Sequence, residues 1–324
     1  MMDLIRRVAL LFTVLTTAVV LAGCGGGPAR ASAAAIVGDE RISLDSVQAE
    51  VQWLSDNEPA IRQMERRGRL KLSQLSRHIV QSRVRHELIQ EAAKRHHITV
   101  NAGEVESLMQ SVGGAARAPA QFGVQASRVR EFARDFVLLG KLGQYNLERV
   151  TADFVGGYVS GDSPGSLASE EALALGRRIA AHPARAEQLT RQAGSEVIDQ
   201  TVSMRELATT GSAQSAMLAA SPLFSANEGT VVVIQPNPQQ GSLWLVALLQ
   251  DRRVSAIPHS TGGRLLPTQL LYQVGLQQLA PIAAAQGVQI SPRFGVWDQA
   301  SMSIVGNESQ FTGHLLPARG SSQQ

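Results

Sequence analysis

A single cysteine, Cys24, ends an apolar run from Val8 to Leu21, and this arrangement limits which part of the chain can fold. Arg6 and Arg7 precede the run, and small residues follow it. A basic start, an apolar middle and small residues before a break are the parts of a secretory signal. The run has 14 residues, short of the ~20 that a membrane-spanning helix needs. Residues 1–23 therefore read as a signal peptide, which leaves 301 residues for one or two domains. No second apolar run is long enough to span a bilayer. No cysteine remains to pair with Cys24, so disulfides and thiolate metal sites are excluded even in an oxidising compartment.

The segment Leu21-Ala22-Gly23-Cys24 resembles the lipobox of bacterial lipoproteins. That resemblance implies cleavage before Cys24, lipidation of its sulfur and of the new N-terminus, and anchoring to the outer face of the cell membrane. The alternative is an ordinary buried cysteine after a failed membrane helix. Residues 24–35 are small and read as a flexible tether between lipid and domain.

Charge narrows the partners. Net charge is +3, and 27 of the 30 basic residues are Arg. Residues 50–150 hold 16 basic and 11 acidic side chains. A basic patch there suits anionic lipid or an acidic client, and a solvated helical face is the alternative. No basic stripe is interleaved with aromatics, so nucleic acid is not an expected partner.

Helical periodicity dominates the first half. Ser43 can cap a helix carrying Leu44, Val47, Val51 and Leu54. Further helices are predicted over 59–67 and 71–96. Asn101 and Glu104, flanked by Val100 and Val105, form a capping-box start with a hydrophobic staple. Val129, Phe132, Phe136 and Leu139 mark the next helix, ending near Leu147. After Thr151 the pattern mixes: a strand from Tyr158, helices over 169–181 and 183–193, short strands over 196–198, 230–234 and 243–249, a helix over 267–285 and a strand over 288–290. Tyr158 starts the first of these strands, and Pro236 to Gly241 reads as a hairpin linker. The end of the chain, 299–324, is polar and reads as a disordered tail.

These elements, in this order, resemble the N-terminal domain of SurA-type and PrsA-type chaperones, which handle unfolded proteins outside the cytoplasmic membrane. The resemblance rests on 34–43 (AAIVGDERIS), on Ile98-Thr99-Val100-Asn101-Ala102-Gly103-Glu104-Val105 after the long helix, and on Arg149-Val150-Thr151-Ala152. It implies a mainly α, α+β fold: a helical domain over 36–152, an inserted parvulin-type domain over 153–255, and a returning helix and strand over 256–298. Val288-Gln289-Ile290 would pair with Ala35-Ile36-Val37. The segment Arg293 to Asp298 would extend this strand region and is assigned no site.

The inserted domain resembles a degraded parvulin. Active parvulins place histidines on the first and last strands, with Cys or Asp between. Here those strands offer Gly157-Tyr158-Val159-Ser160 and Leu243-Trp244, and His182 is the only histidine of 153–255. The expectation is a retained scaffold without isomerase residues.

Other motifs carry little. Gly161-Asp162-Ser163-Pro164-Gly165 matches the G-x-S-x-G pattern, but Pro164 has no N–H to offer an oxyanion. His96 and His97 point in different directions on a helix and read as partners of its C-terminus. Glu104 and Glu106 read as helix-start acids, and Trp53, Phe132 and Phe136 as core. No catalytic, cofactor-binding or metal residue is assigned, and no cofactor or small-molecule substrate is expected. The resemblance implies a lipid-anchored chaperone that binds unfolded or secreted clients. The alternatives are a dedicated envelope scaffold or an active prolyl isomerase.

Overall fold

The computed structural model describes residues 32–160, 168–236, 243–256 and 266–320. Leu21, Ala22, Gly23 and Cys24, most of the tether, Ser163 and the predicted linker after Pro236 lie outside the described residues. Within them, no helix is long and apolar enough to cross a membrane.

The fold is α+β and mainly helical. Strands β1 (Ala33–Val37) and β2 (Glu40–Ser43) form a hairpin, so the predicted tether ends earlier, at Ser32. Helix α1 (Leu44–Asn57) starts where Ser43 Oγ accepts from Ser46 N–H at 3.1 Å, satisfying a backbone donor the helix itself leaves unpaired. Then come α2 (Pro59–Arg66) and the 25-residue α3 (Leu72–His96), whose Leu75, Ile79, Val84 and Leu88 are buried in the helical core. His97 closes α3 in the left-handed conformation at φ 52°, while Ile98 N–H bonds the Ala93 carbonyl at 2.9 Å. Helix α4 (Ala102–Ser111) has the expected reciprocal cap, with Glu104 N–H on Asn101 Oδ1 at 3.0 Å and Asn101 N–H on Glu104 Oε2 at 2.9 Å. A short α5 (Ala118–Phe122) leads to α6 (Val129–Leu147).

Next is a five-stranded antiparallel sheet. Its strand β3 (Val150–Ser160) starts eight residues before the predicted position, and the central strand β6 (Leu243–Val254) runs beside it. With β4 (Ile198–Ser203), β5 (Thr230–Ile234) and β10 (Gly313–Pro317) the order is β10-β5-β6-β3-β4. Helices α7 (Ala168–Ala181) and α8 (Ala186–Gln192) cover one face, packing Leu175, Ile179 and Leu189 on Val155, Val233 and Val246. On the other face, α9 (Met204–Thr209), α10 (Ala213–Ala219) and the turn Pro222–Phe224 pack on Phe154, Val232 and Leu249. Burial on both faces explains the unbroken apolar run Thr230-Val231-Val232-Val233-Ile234.

The chain then returns to its start. The helix expected over 267–285 is two, α11 (Thr268–Gln277) and α12 (Ala280–Gln286). Pro281 cannot donate to the preceding turn, which separates them. Strand β7 (Val288–Ile290) pairs antiparallel with β1, placing Ala35 opposite Ile290 and Val37 opposite Val288, as anticipated. A two-stranded ribbon follows, β8 (Val296–Asp298) and β9 (Ser303–Val305). Residues 299–320 are therefore not a disordered tail. Leu315 opposes Val232 and Leu316 opposes Val231 across β10 and β5. The sheet thus recruits residues from well beyond 255.

Two devices tie the returning segment down. Arg77, Gln81 and Arg85 stand four apart on α3, hence on one face. Arg77 Nε donates to the Phe294 carbonyl (2.9 Å), Gln81 Oε1 accepts from Ile304 N–H (2.8 Å), and Arg85 Nε donates to the Met302 carbonyl (2.9 Å). The second device is the crossing of α11 over α6 at Gly275 and Gly143. A Cβ on Gly275 would lie 1.9 Å from the Leu139 carbonyl oxygen, and one on Gly143 would lie 1.9 Å from that of Leu271. Only glycine permits that approach.

Candidate functional site

The feature best suited to hold a polypeptide is a cleft of about 410 Å³ between α1, the start of α3 and the Arg293-Phe294 turn. Its floor is apolar: Val47 and Phe294 are buried, Leu44 and Val51 half-buried. Gln48, Gln52, Ser73 and Arg293 are exposed at the rim. Chain geometry explains this. The one-turn periodicity of α1 puts Leu44, Val47 and Val51 on one stripe. The carbonyl of Phe294 is held by Arg77, which keeps that ring under the cleft. Leu72, at the first turn of α3, and Met64 on α2 are large apolar side chains left exposed. Exposed Arg66, Arg67, Arg69 and Lys71 precede Leu72. The cleft thus combines an apolar floor with a polar rim that carries one cation, Arg293.

A larger cleft of about 740 Å³ lies at one end of the five-stranded sheet, among Asn227, Glu228, Gln250, Arg252 and Arg319. Its mostly polar walls offer an apolar peptide little reason to leave water.

The sheet brings together the two strands that the parvulin resemblance points to. Tyr158 opposes Leu245, Val159 opposes Trp244 and Ser160 opposes Leu243. Burial raises the pKa of Tyr158, against a hydrogen bond from Gln214. No histidine stands on either strand. His182 is exposed at the end of α7, where its N–H bonds the Arg178 and Ile179 carbonyls.

Other predicted residues take structural places. Glu104 caps α4 and meets Lys141 at 2.7 Å. Glu106 lies 3.3 Å from Arg130 on the surface. Trp53 packs against the helical core, Phe132 against the cluster around Val105, and Phe136 stacks on Tyr272 at 4.7 Å. His96 stands in the last turn of α3, at the helix end. Burial lowers its pKa, with Arg252 and Arg95 adding to the effect, and its ring rests 5.3 Å from that of Tyr145.

Two charged clusters were not anticipated. Glu50 is fully buried on α1, where it accepts from Arg83 Nη2 (2.7 Å), Arg128 Nη1 (3.1 Å) and Gln125 N–H (3.1 Å). The signal for it was present: Glu50 falls on the apolar stripe with Val47 and Leu54. The second cluster is His86, Glu131 and Asp135, between α3 and α6. Their spacing along two separate helices gives no sign that they meet.

The family model of the SurA-like N-terminal domain matches residues 1–116. That span includes α1 through α4, and so both helical walls of the cleft. No curated protein matches the chain. A crystal structure at 3.10 Å of the foldase protein PrsA from Lactococcus lactis is similar at 13% identity, over 80% of this chain and 94% of that one, with a TM-score of 0.27. Over its first 116 residues the chain is thus similar to the SurA-like N-terminal domain.

Proposed function

We propose that the protein is a membrane-anchored extracytoplasmic lipoprotein that binds unfolded or secreted client segments, as a chaperone does, in the cleft between α1 and α3. The observation that carries this reading is an apolar-floored, open cleft whose two helical walls lie in the part of the chain that matches the SurA-like N-terminal domain. Burial of apolar client side chains supplies the attraction, at ~25 cal/mol per Å² removed from water. Arg66, Arg67, Arg69, Lys71 and Arg293 favour acidic clients. Each contact is weak, and the Cys24 lipid raises local concentration beside the membrane.

The reading includes no isomerase step. Rotation about an X–Pro bond has a barrier of ~18–20 kcal/mol, and lowering it needs a pocket that holds the twisted bond. Tyr158, Val159, Leu243 and Trp244 supply no histidine pair for one.

The test is aggregation of several unrelated unfolded proteins beside the purified lipid-free chain. Suppression is expected, with weaker suppression by Leu72→Glu and by Arg293→Glu at unchanged melting temperature. Absence of suppression for every substrate would refute the proposal, and one stoichiometric partner in a cell crosslink would favour the dedicated scaffold. A proline-peptide assay should stay at background. Acyl labelling in cells should be lost in Cys24→Ala.

A further inference from the structure

The geometry points to a divalent transition-metal site between α3 and α6, formed by His86, Glu131 and Asp135 and suited to Zn²⁺ or a metal of similar preference. One donor atom from each residue lies within 4.8 Å of the other two. His86 and Gln90 stand four apart on α3, and Glu131 and Asp135 four apart on α6. Each helix therefore turns a pair of side chains toward the other. The cross-helix contacts are close: His86 Nδ1 lies 2.7 Å from Asp135 Oδ2, and Gln90 Nε2 donates to Asp135 Oδ1 at 3.0 Å.

The donor set selects the ion. One imidazole and two carboxylates suit Zn²⁺, Co²⁺ or Mn²⁺, whereas Mg²⁺ and Ca²⁺ take oxygen ligands. Three protein ligands with an open position form the usual arrangement of a non-structural zinc site. The side chains of His86 and Glu131 are 25% and 36% exposed, and that of Asp135 is 9% exposed, so the site has an open mouth and a buried floor.

Local charge favours a cation. Glu87 and Glu131 act on His86 alongside Asp135. Arg128 opposes them, but it is shared with the buried Glu50 and holds Glu131 through Oε1. His86 Nδ1 and Asp135 Oδ2 are hydrogen-bond partners; an ion would take the place of that contact and fasten α3 to α6.

Calorimetric titration of the purified chain with Zn²⁺ at neutral pH tests this. One equivalent should bind, and Co²⁺ should give visible d–d bands of a mixed nitrogen–oxygen site. His86→Gln keeps a donor for Asp135 yet removes the imidazole, and should weaken binding at least about tenfold. His97→Asn should leave it unchanged. In the unsubstituted protein, Mn²⁺ should broaden the NMR signals of His86, Glu131 and Asp135 first, a readout that needs no variant to fold. No saturable binding, equal binding by His86→Gln, or broadening centred on His96 and His97 would each overturn the assignment.

Discussion

The crossing of α11 over α6 gives the sharpest stability prediction. Replacing Gly275 with alanine puts a Cβ 1.9 Å from the Leu139 carbonyl oxygen and 2.8 Å from its carbon. Ordinary contact is nearer 3.4 Å, so the helices must part by about 1.5 Å along that line. The obstacle is helical backbone on both sides, which cannot rotate out of the way as a side chain could. Overpacking costs ~1–3 kcal/mol where side chains can adjust, and a backbone clash belongs at or above the top of that range. Alanine gains back up to ~1 kcal/mol of helix propensity over glycine. The net expectation is a loss of ~2 kcal/mol or more, which lowers the melting temperature by roughly 3–5 °C or more for a chain of this size. Gly140, one turn before Gly143 on α6, provides the control, because a Cβ there meets nothing within 4 Å. Gly140→Ala should be neutral or stabilising by up to ~1 kcal/mol. Thermal unfolding of the two variants, side by side, decides the matter. If Gly275→Ala melts with Gly140→Ala, the helices do not cross backbone to backbone, and the account of how the C-terminal segment is held is wrong.

Three further perturbations probe the interior polar groups, and one probes the end of the chain. Glu50→Gln leaves Arg83 and Arg128 without their buried counter-charge, and should cost roughly 3–5 kcal/mol in urea unfolding; a change under about 1 kcal/mol would show the network to be dispensable. His78, half-buried and bonded to the Phe122 carbonyl at 2.8 Å, has a pKa lowered from 6.5 chiefly by burial, against the pull of that carbonyl. A depressed folded pKa contributes stability that is present above the unfolded value and lost as pH falls toward the folded one, so stability should decline below pH 6.5 and His78→Gln should flatten that decline. Asp298, 1% exposed, accepts from Ala300 N–H (2.9 Å), Ser301 Oγ (2.7 Å), Thr312 N–H (2.9 Å) and Thr312 Oγ1 (2.8 Å). Asp298→Asn turns an amide donor toward one of these donors and should cost ~1–3 kcal/mol, with faster hydrogen exchange at Thr312; unchanged exchange would contradict it. Ending the chain after Phe311 removes β10 and bares the β5 edge, so the truncated protein should unfold earlier and aggregate, and equal stability would show that β10 is an ornament to the sheet.

Local chemistry was readable wherever it was self-contained. Ser43 before Leu44 and Asn101 three residues before Glu104 announce helix starts because the capping partners lie within one turn. Strand β5 was readable because Thr230 to Ile234 is a run of β-branched residues, which favour the extended chain. Strand β3 was not, because Gly156 and Gly157 break its apolar pattern while the partners that fix it, Val246 and Ala247 of β6, are about ninety residues away. The tail misled for the same reason. Gly313, His314 and Pro317 look like loop residues, and only pairing with β5 makes them a strand. Asp298 reads as a surface acid until the four donors around it are in place. The cleft was half legible: Leu44, Val47 and Val51 mark an apolar stripe, but Phe294 comes under it from 240 residues further on.

That distance bears on what the N-terminal domain can do alone. Residues 1–116 supply α1 and α3, yet Arg293 and Phe294 close the cleft, and β7 completes the sheet that starts at β1. The same α3 residues that face the returning segment, Arg77, Gln81 and Arg85, find their partners only at Phe294, Ile304 and Met302. A chain stopped before Val288 would leave an edge of β1 unpaired, two half-buried arginines without carbonyls and the cleft without its floor. Each of these costs free energy in the same place, so they fail together. The helical lobe and the returning segment therefore form one cooperative unit, even though about 120 residues separate them. The interposed sheet is fastened to that unit by β10 and by the packing of α11, so the order of the sequence is not the order in which the parts depend on one another.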